Sequence, residues 1–323
     1  MSAEPQGTNP ESPASIVKRE PGMNWTNPFK RMLDNPVILK ELRGRMRGRQ
    51  AFILLTVYLG LIAIFIGIIY LVTVGESSSI GWDPSLRQSV GKAIFGSVVL
   101  LELLLVSFIG PGLTAGAITA ERERQTFDLL RTTLLSASSL VLGKVGSAFT
   151  YLFLLILTAL PIQSLAFLLG GVGIGEMVVS SVMLVVTAIF FCTLGIFFSS
   201  FMKRTLPATV TSYGTIVASF LLIVVTFFLI TYVDRMSSNI DPLREYALTM
   251  LVWFLISTNP FLAAIMTEVI LVEDQSLFYT QNSLFGNNNF YLSSPWIIYV
   301  VFYLVLTVIM IFLSIQRVKR PDR

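Results

Sequence analysis

The amino-acid sequence predicts an all-α polytopic membrane protein, and three observations lead to that prediction. The chain is 54% hydrophobic and only 13% charged, with a mean hydropathy of +0.75. A soluble protein is closer to a quarter charged, so the composition excludes an ordinary globular domain. Six apolar runs approach or exceed the roughly 20 residues that cross ~30 Å of hydrocarbon. Lysine and arginine are also divided very unevenly between the loops that join these runs.

The six predicted transmembrane helices form one domain, residues 51–316. The spans cover residues 51–74, 93–117, 145–169, 177–202, 207–233 and 296–315. A further apolar segment, residues 246–272, is interrupted by Asn259-Pro260, which breaks a helix near its midpoint. We therefore expect a broken helical hairpin in the last outer loop. It re-enters the membrane, lies along the membrane surface or forms an extracellular cap over the bundle.

The positions of the 23 lysine and arginine residues decide how the broken segment is counted. If it does not cross, 19 of them share one side: nine before residue 50, four within residues 121–144, two at 203–204 and four after residue 316. A seventh crossing would move the last four outside, against the positive-inside rule. Six spans with both termini in the cytoplasm are predicted, with residues 1–27 as a disordered tail and residues 317–323 as a basic tail.

The residue types present exclude most catalytic and metal chemistry. The chain has no histidine and a single cysteine, Cys192. Histidine-dependent nucleophiles, His-ligated zinc or haem, and cysteine clusters are thereby excluded. Catalysis by intramembrane carboxylates needs two that face each other, and only Glu102 lies clearly inside a span. The sequence accordingly predicts no catalytic residue, no metal site, no enzymatic activity and no nucleic-acid partner.

Residues 28–50, before the first span, predict an amphipathic elbow helix. Asp34-Asn35-Pro36 supplies polar capping candidates and a proline at the first helical position. Lys40, Arg43 and Arg47 fall on one face of this helix, and we expect them to lie at the cytoplasmic membrane interface, in contact with the lipid bilayer. The alternative is a simple positive-inside anchor. The opposite face is apolar and consists of Ile38, Leu39, Leu42 and Met46.

The loop of residues 120–144, between the second and third spans, is the only strongly charged segment in the middle of the chain. Read as a helix over residues 121–135, it places Phe127, Leu130 and Leu134 on one apolar edge. Its charges are mixed in sign, which favours a soluble protein partner over anionic lipid. The spacing predicts surface pairs between Glu121 and Gln125, Arg124 and Asp128, and Asp128 and Arg131.

Two segments carry a family resemblance. Asn35-Pro36 followed by Lys40-Glu41-Leu42-Arg43 resembles the stretch before the first span of ABC-2-type transporter permeases. Ala120-Glu121-Arg122-Glu123-Arg124, with Thr126-Phe127-Asp128-Leu129-Leu130 and Leu142-Gly143-Lys144 after it, is similar to that family's segment between spans two and three. The resemblance covers about residues 35–230.

The resemblance implies a permease subunit of an ATP-binding-cassette transporter in a bacterial cytoplasmic (inner) membrane. It implies a cytoplasmic coupling helix that fits a cleft of a separate ABC ATPase subunit, and a second permease subunit, identical or related. The substrate is unidentified, and a lipid-like or amphipathic one is expected. By resemblance, the residues that contact the ATPase are Glu121, Arg122, Glu123, Arg124, Phe127 and Asp128.

The chain lacks a nucleotide-binding motif of its own. Leu142-Gly143-Lys144-Val145 has a Gly-Lys pair but neither the upstream glycine nor the following Ser or Thr of a phosphate-binding loop. No cofactor is therefore expected on this chain, and ATP and Mg²⁺ are expected on the partner ATPase. The alternative function is an ATP-independent membrane scaffold or sensor that recruits a soluble partner through the helix of residues 121–135.

Two polar residues inside the spans are candidates for a translocation path. Glu102 lies in the second span, where a carboxyl group costs about 2.5–3.5 kcal/mol on insertion scales. Gln163, which follows Pro161 in the third span, is the second candidate. The alternatives for Glu102 are a hydrogen bond to a neighbouring helix or a wet position near the outer interface.

Overall fold

The computed structural model describes Gly44 and residues 49–75, 84–127, 136–236, 242–273, 276–282 and 290–319. The predicted elbow helix, including Lys40, Arg43 and Arg47, lies outside the described residues apart from Gly44 and its last two positions. The tail of residues 1–27, the last four residues and the whole segment 128–135 also lie outside the described residues.

The described chain is almost entirely helical. The long helices are α1 (Arg49–Gly75), α2 (Pro84–Thr114), α4 (Ala137–Leu168), α5 (Ile174–Phe201), α6 (Thr205–Met236) and α9 (Pro295–Lys319). Between them lie the short helix α3 (Thr119–Glu123) and the pair α7 (Pro242–Thr258) and α8 (Pro260–Glu273). The six long helices are apolar enough to cross a membrane, which confirms the six predicted spans and gives the chain the architecture of a multi-pass membrane protein.

A small antiparallel sheet adds to the all-α prediction. Strands β1 (Tyr279–Asn282) and β2 (Phe290–Ser293) pair with Tyr279 opposite Ser293. Two tryptophans fix this sheet to the helices, since Trp253 Nε1 donates to Ser293 O (3.1 Å) and Trp296 Nε1 donates to Leu277 O (2.7 Å). Neither strand is predicted from the sequence, because each is only four residues long and lies between apolar helices.

Helix α5 lies at the centre of the bundle and packs against α2, α4, α6 and α9. The contact with α2 requires a glycine, because a Cβ on Gly195 would collide with Thr114 Oγ1 and lie 3.0 Å from Ala115 N. Small residues at such a position allow two helix backbones to approach closely, as they do in membrane helix pairs. Large apolar side chains fill the core around this contact: Tyr58, Phe95, Leu103, Leu152, Leu155, Leu184 and Tyr299.

Helices α7 and α8 form the predicted broken hairpin, with a bend of 107° at the break. Asn259 caps α8, since its Oδ1 accepts from the backbone N–H groups of Phe261 and Leu262 (3.1 and 3.2 Å), and Pro260 occupies the first helical position. Asn259 Nδ2 also donates to Ser219 O (2.7 Å), near the middle of α6.

The two ends of this hairpin lie at one end of the bundle while its vertex lies deep between the helices. Leu271, near the end of α8, lines a cavity together with Lys92 and Glu176, which lie near the starts of α2 and α5. Asn259, at the vertex, reaches the middle of α6. The pair therefore enters the bundle and turns back. This geometry fits the re-entrant alternative. By length and composition the described helices supply six spans, or seven if the bent pair is counted as one span.

Candidate functional site

The chain makes a tight turn directly after α2, and we call residues 119–127 the charged turn. Helix α3 ends here because Gln125 has a φ of +58°, which no right-handed helix contains. Gln125 N–H donates to Arg122 O and Thr126 N–H donates to Glu121 O, both at 3.0 Å. This is the hydrogen-bond pattern of a Schellman helix end. The predicted uninterrupted helix over residues 121–135 is therefore wrong at this point, and so is the predicted pair of Glu121 with Gln125.

A partly buried ion pair connects the charged turn to α4. Lys144 Nζ lies 2.7 Å from Glu121 Oε1 and donates a second hydrogen bond to Ala117 O at 2.9 Å. Lys144 is only 4% exposed, whereas Glu121 is 26% exposed. A charge-assisted bond of this kind is stronger than a neutral one and holds both elements in a fixed geometry.

Arg122 and Glu123 fasten the charged turn to the connection between α5 and α6. Arg122 Nη1 donates to Met202 O (2.9 Å), and its guanidinium lies 5.0 Å from the centre of the Phe127 ring. The Glu123 carboxylate accepts from both N–H and Oγ1–H of Thr205, at 2.8 and 3.0 Å. These contacts cross about eighty residues of sequence, so they tie together spans that the chain itself does not place side by side.

Helix α5 adds a third attachment through a buried hydroxyl. Ser199 Oγ accepts from the backbone N–H groups of Ile118 and Thr119, at 2.9 and 3.1 Å. Ile118 directly precedes α3 and Thr119 is its first residue, where backbone N–H groups have no partner within the helix. The charged turn is thus bonded to α4, α5 and α6 at once.

The six residues predicted to contact the partner differ in exposure and in their bonds within the molecule. Glu121, Arg122 and Glu123 bond within the molecule, and the Phe127 side chain is 5% exposed, facing the core. Asp128 lies outside the described residues. Arg124 is exposed, as are Gln125 and Thr126. Contact with a partner stays a prediction for all six, but the surface that the described turn offers to a partner centres on Arg124.

Lys144, Ser199, Met202 and Thr205 were not among the predicted site residues, although they hold the turn. An ion-pair partner for Lys144 could have been predicted from the sequence, because a lysine followed directly by a long apolar run needs a partner for its charge. The roles of Ser199 and Thr205 could not have been predicted, because single hydroxyl residues are common in apolar helices. Met202 contributes only its backbone carbonyl, which sequence cannot reveal.

The two predicted pathway residues contact each other in the core. Gln163 Nε2 of α4 donates to Glu102 Oε2 of α2 at 2.8 Å, and both residues are almost fully buried. This is the hydrogen bond to a neighbouring helix that was the alternative interpretation of Glu102. Glu102 Oε1 and the amide oxygen of Gln163 are buried without a hydrogen-bond partner among the described residues, as is the hydroxyl of Tyr58 in α1.

Comparison with models of known protein families and with curated proteins found no match to this chain. Within the described part of the chain, no group of three or more metal-ligating side chains could hold a metal ion. The contacts of the charged turn and the Glu102–Gln163 pair are therefore the structural features that bear on function.

Proposed function

We propose that this protein is the membrane-spanning subunit of an ABC-2-type transporter. It moves a substrate across a bacterial cytoplasmic membrane, driven by ATP that a separate ATPase subunit hydrolyses. One observation supports the proposal above all: the charged turn is bonded to α4, α5 and α6 while it presents Arg124 to solvent. A transport subunit without its own nucleotide-binding motif needs such a part, because it must convert motion of its partner into motion of its spans.

The contacts give the turn two separable tasks. Arg124 and the exposed residues beside it bind the partner in its cleft. Glu121 and Lys144 carry a displacement of the turn into α4, and Arg122 and Glu123 carry it into the junction of α5 and α6. Conformational changes of this kind often occur as rigid-body motion of packed helices. The charge-assisted hydrogen bonds keep the turn rigid, so that it moves together with the helices to which it is bonded.

The first experiment tests the partner. The tagged full-length chain is expressed in its native host and purified in mild detergent. The proteins bound to it are identified by mass spectrometry. We expect an ATP-binding-cassette ATPase, and Arg124→Glu should lower its recovery at least tenfold. Lys319→Glu, an exposed charge at the end of α9, is the matched control and should not alter recovery.

The second experiment tests transmission of motion. Lys144→Met keeps the exposed surface intact but removes the bond to Glu121, so the ATPase should still bind while substrate-stimulated ATP hydrolysis falls severalfold. Recovery of a soluble partner that hydrolyses no ATP would favour the scaffold alternative instead. If no ATPase is recovered with the wild-type chain, the proposal is wrong. If Arg124→Glu binds the ATPase normally, only the contact surface is wrong.

A further inference from the structure

A polar cavity of about 440 Å³ lies at the end of the bundle opposite the charged turn. Gln88 and Lys92 of α2, Glu176 of α5 and Leu271 of α8 line it, together with the glycine-rich loop of residues 170–173. Three elements that are distant in sequence therefore converge on one pocket. The function proposed above uses none of these residues, and the inference that follows does not depend on it.

The wall of the cavity is built by an unusually close approach of two backbones. A Cβ on Gly171 would overlap Gln88 O and lie 2.7 Å from Lys92 N, so only glycine fits between the loop and α2. The loop is thereby held against the first turns of α2. Lys92 and Glu176 consequently face one cavity from two helices whose positions are fixed.

The charges around this cavity are of both signs and are incompletely paired. Lys92 forms no ion pair with any residue that the structure describes. Glu176 Oε2 accepts from Gly173 N–H at 3.3 Å and caps the start of α5. Glu268 of α8 packs against Gly96 of α2, one helical turn from Lys92, since a Cβ on Gly96 would lie 3.9 Å from Glu268 Cγ. Its buried Oε1 has no hydrogen-bond partner in the described chain. One ammonium and two carboxylates complement a ligand that carries both an ammonium and an anionic group.

An apolar groove of about 480 Å³ begins at Ile174, beside residues that line the polar cavity. Gly173 and Gly175 line the cavity, while Ile174 between them lines the groove. The groove then follows one face of α5 as far as Val186. At 1.5 Å per residue this distance is roughly 18 Å, slightly more than half the ~30 Å hydrocarbon core, and so it matches one acyl chain of one leaflet.

We propose that this composite site binds a phospholipid whose headgroup carries a primary ammonium, as in phosphatidylethanolamine. The carboxylates of Glu176 and Glu268 accept hydrogen bonds from the ammonium, and Lys92 pairs with the phosphate. One acyl chain lies in the α5 groove. A primary ammonium donates three hydrogen bonds whereas a quaternary one donates none, so the site prefers phosphatidylethanolamine to phosphatidylcholine.

The experiment measures lipid-dependent thermal unfolding of the delipidated full-length protein in detergent. Phosphatidylethanolamine and phosphatidylcholine with identical acyl chains are titrated separately, as is soluble phosphoethanolamine. We expect half-saturation by phosphatidylethanolamine at a concentration at least tenfold below that of either other probe. The double variant Glu176→Gln with Glu268→Gln should lose that preference, whereas Lys92→Gln should weaken the binding of both lipids, because both carry the phosphate. Gln at position 176 can still accept from Gly173 N–H, so the cap of α5 is retained.

Two further variants keep the test independent of folding defects. Arg244→Gln removes an exposed charge at the start of α7 and should leave the titration unchanged. Val182→Trp fills the groove from the exposed surface of α5 and should weaken lipid binding at least tenfold while the unliganded protein stays folded. Equal binding of the two lipids, or normal binding by the Gln variants, would overturn the headgroup site. Soluble phosphoethanolamine binding as tightly as the lipid would overturn the acyl groove.

Discussion

Helices α1 and α5 are nearly alike in hydropathy and entirely different in burial. Their most apolar windows have mean hydropathies of 2.8 and 2.4, yet 11% of the α1 window is buried against 67% of the α5 window. Helix α5 carries buried small and hydroxyl residues, among them Gly195 and Thr187, whereas α1 exposes bulky side chains such as Phe52 and Leu71. Hydropathy measures transfer into hydrocarbon, so it cannot separate lipid contact from helix contact. Small residues indicate helix packing instead.

The largest expected change in stability comes from replacing a glycine by valine in each of the two helices. Gly195→Val should destabilise the protein by about 3 kcal/mol, because its side chain collides with Thr114 and can be accommodated only if α2 and α5 separate. Gly60→Val in α1 is the matched control, since a Cβ there meets nothing within 4 Å. Denaturant or thermal unfolding in detergent gives both values. Equal losses for the two variants would show that α5 is not packed more tightly than α1.

The same comparison shows how much of the fold could be predicted from sequence. All six spans were predicted because each contains about 20 apolar residues, and Asn259-Pro260 located the break between α7 and α8 because proline cannot continue a helix. The depth of that break could not be predicted. It depends on a hydrogen bond from Asn259 to a carbonyl of α6, forty residues away, which leaves no trace in local sequence.

The candidate site could be predicted less well than the fold. Charge pattern drew attention to Glu121, Arg122 and Glu123, but helical spacing assigned them to an exposed surface helix. In the structure Gln125 ends α3 and the three side chains turn back toward Lys144, Met202 and Thr205. Local spacing describes neighbours along one helix, and these partners lie on other helices. The pairing of Glu102 with Gln163 was missed for the same reason.

A second, intermediate test compares a buried polar residue with an exposed one. Glu102→Leu should cost about 1–2 kcal/mol, because it leaves the buried amide of Gln163 without its acceptor. Glu102→Gln keeps a carbonyl oxygen at that place and should remain within about 0.5 kcal/mol of the wild type. Thr56→Leu on the exposed face of α1 is the control and should cost nothing measurable.

Transport assays of the Glu102 variants address a different question from their stability. If Glu102 takes part in a translocation path, Glu102→Gln should lose transport while it unfolds at the wild-type temperature. Normal transport by a stable Glu102→Gln protein would leave the carboxyl group with its hydrogen bond to Gln163 as its only role, and would remove Glu102 and Gln163 from the proposed path.

The smallest effect comes from a single hydroxyl between α5 and α9. Thr187 Oγ1 donates to Met183 O, so the Tyr299 hydroxyl 2.6 Å away donates to Thr187. Thr187→Val keeps the shape and removes this acceptor, at a cost of about 0.6 kcal/mol, the mean for interhelical hydrogen bonds in membrane proteins. Thr215→Val on α6 is the control, because its hydroxyl donates to Thr211 O within the same helix.

A double-mutant cycle with Tyr299→Phe isolates the contribution of this bond. The two single variants should be less than additive by about 0.6 kcal/mol if the hydroxyls interact, since each change removes the same hydrogen bond. Full additivity would mean that the Thr187 hydroxyl bonds only within its own helix. At this level of the bundle, the contrast with α1 would then rest on the small volume of the α5 residues.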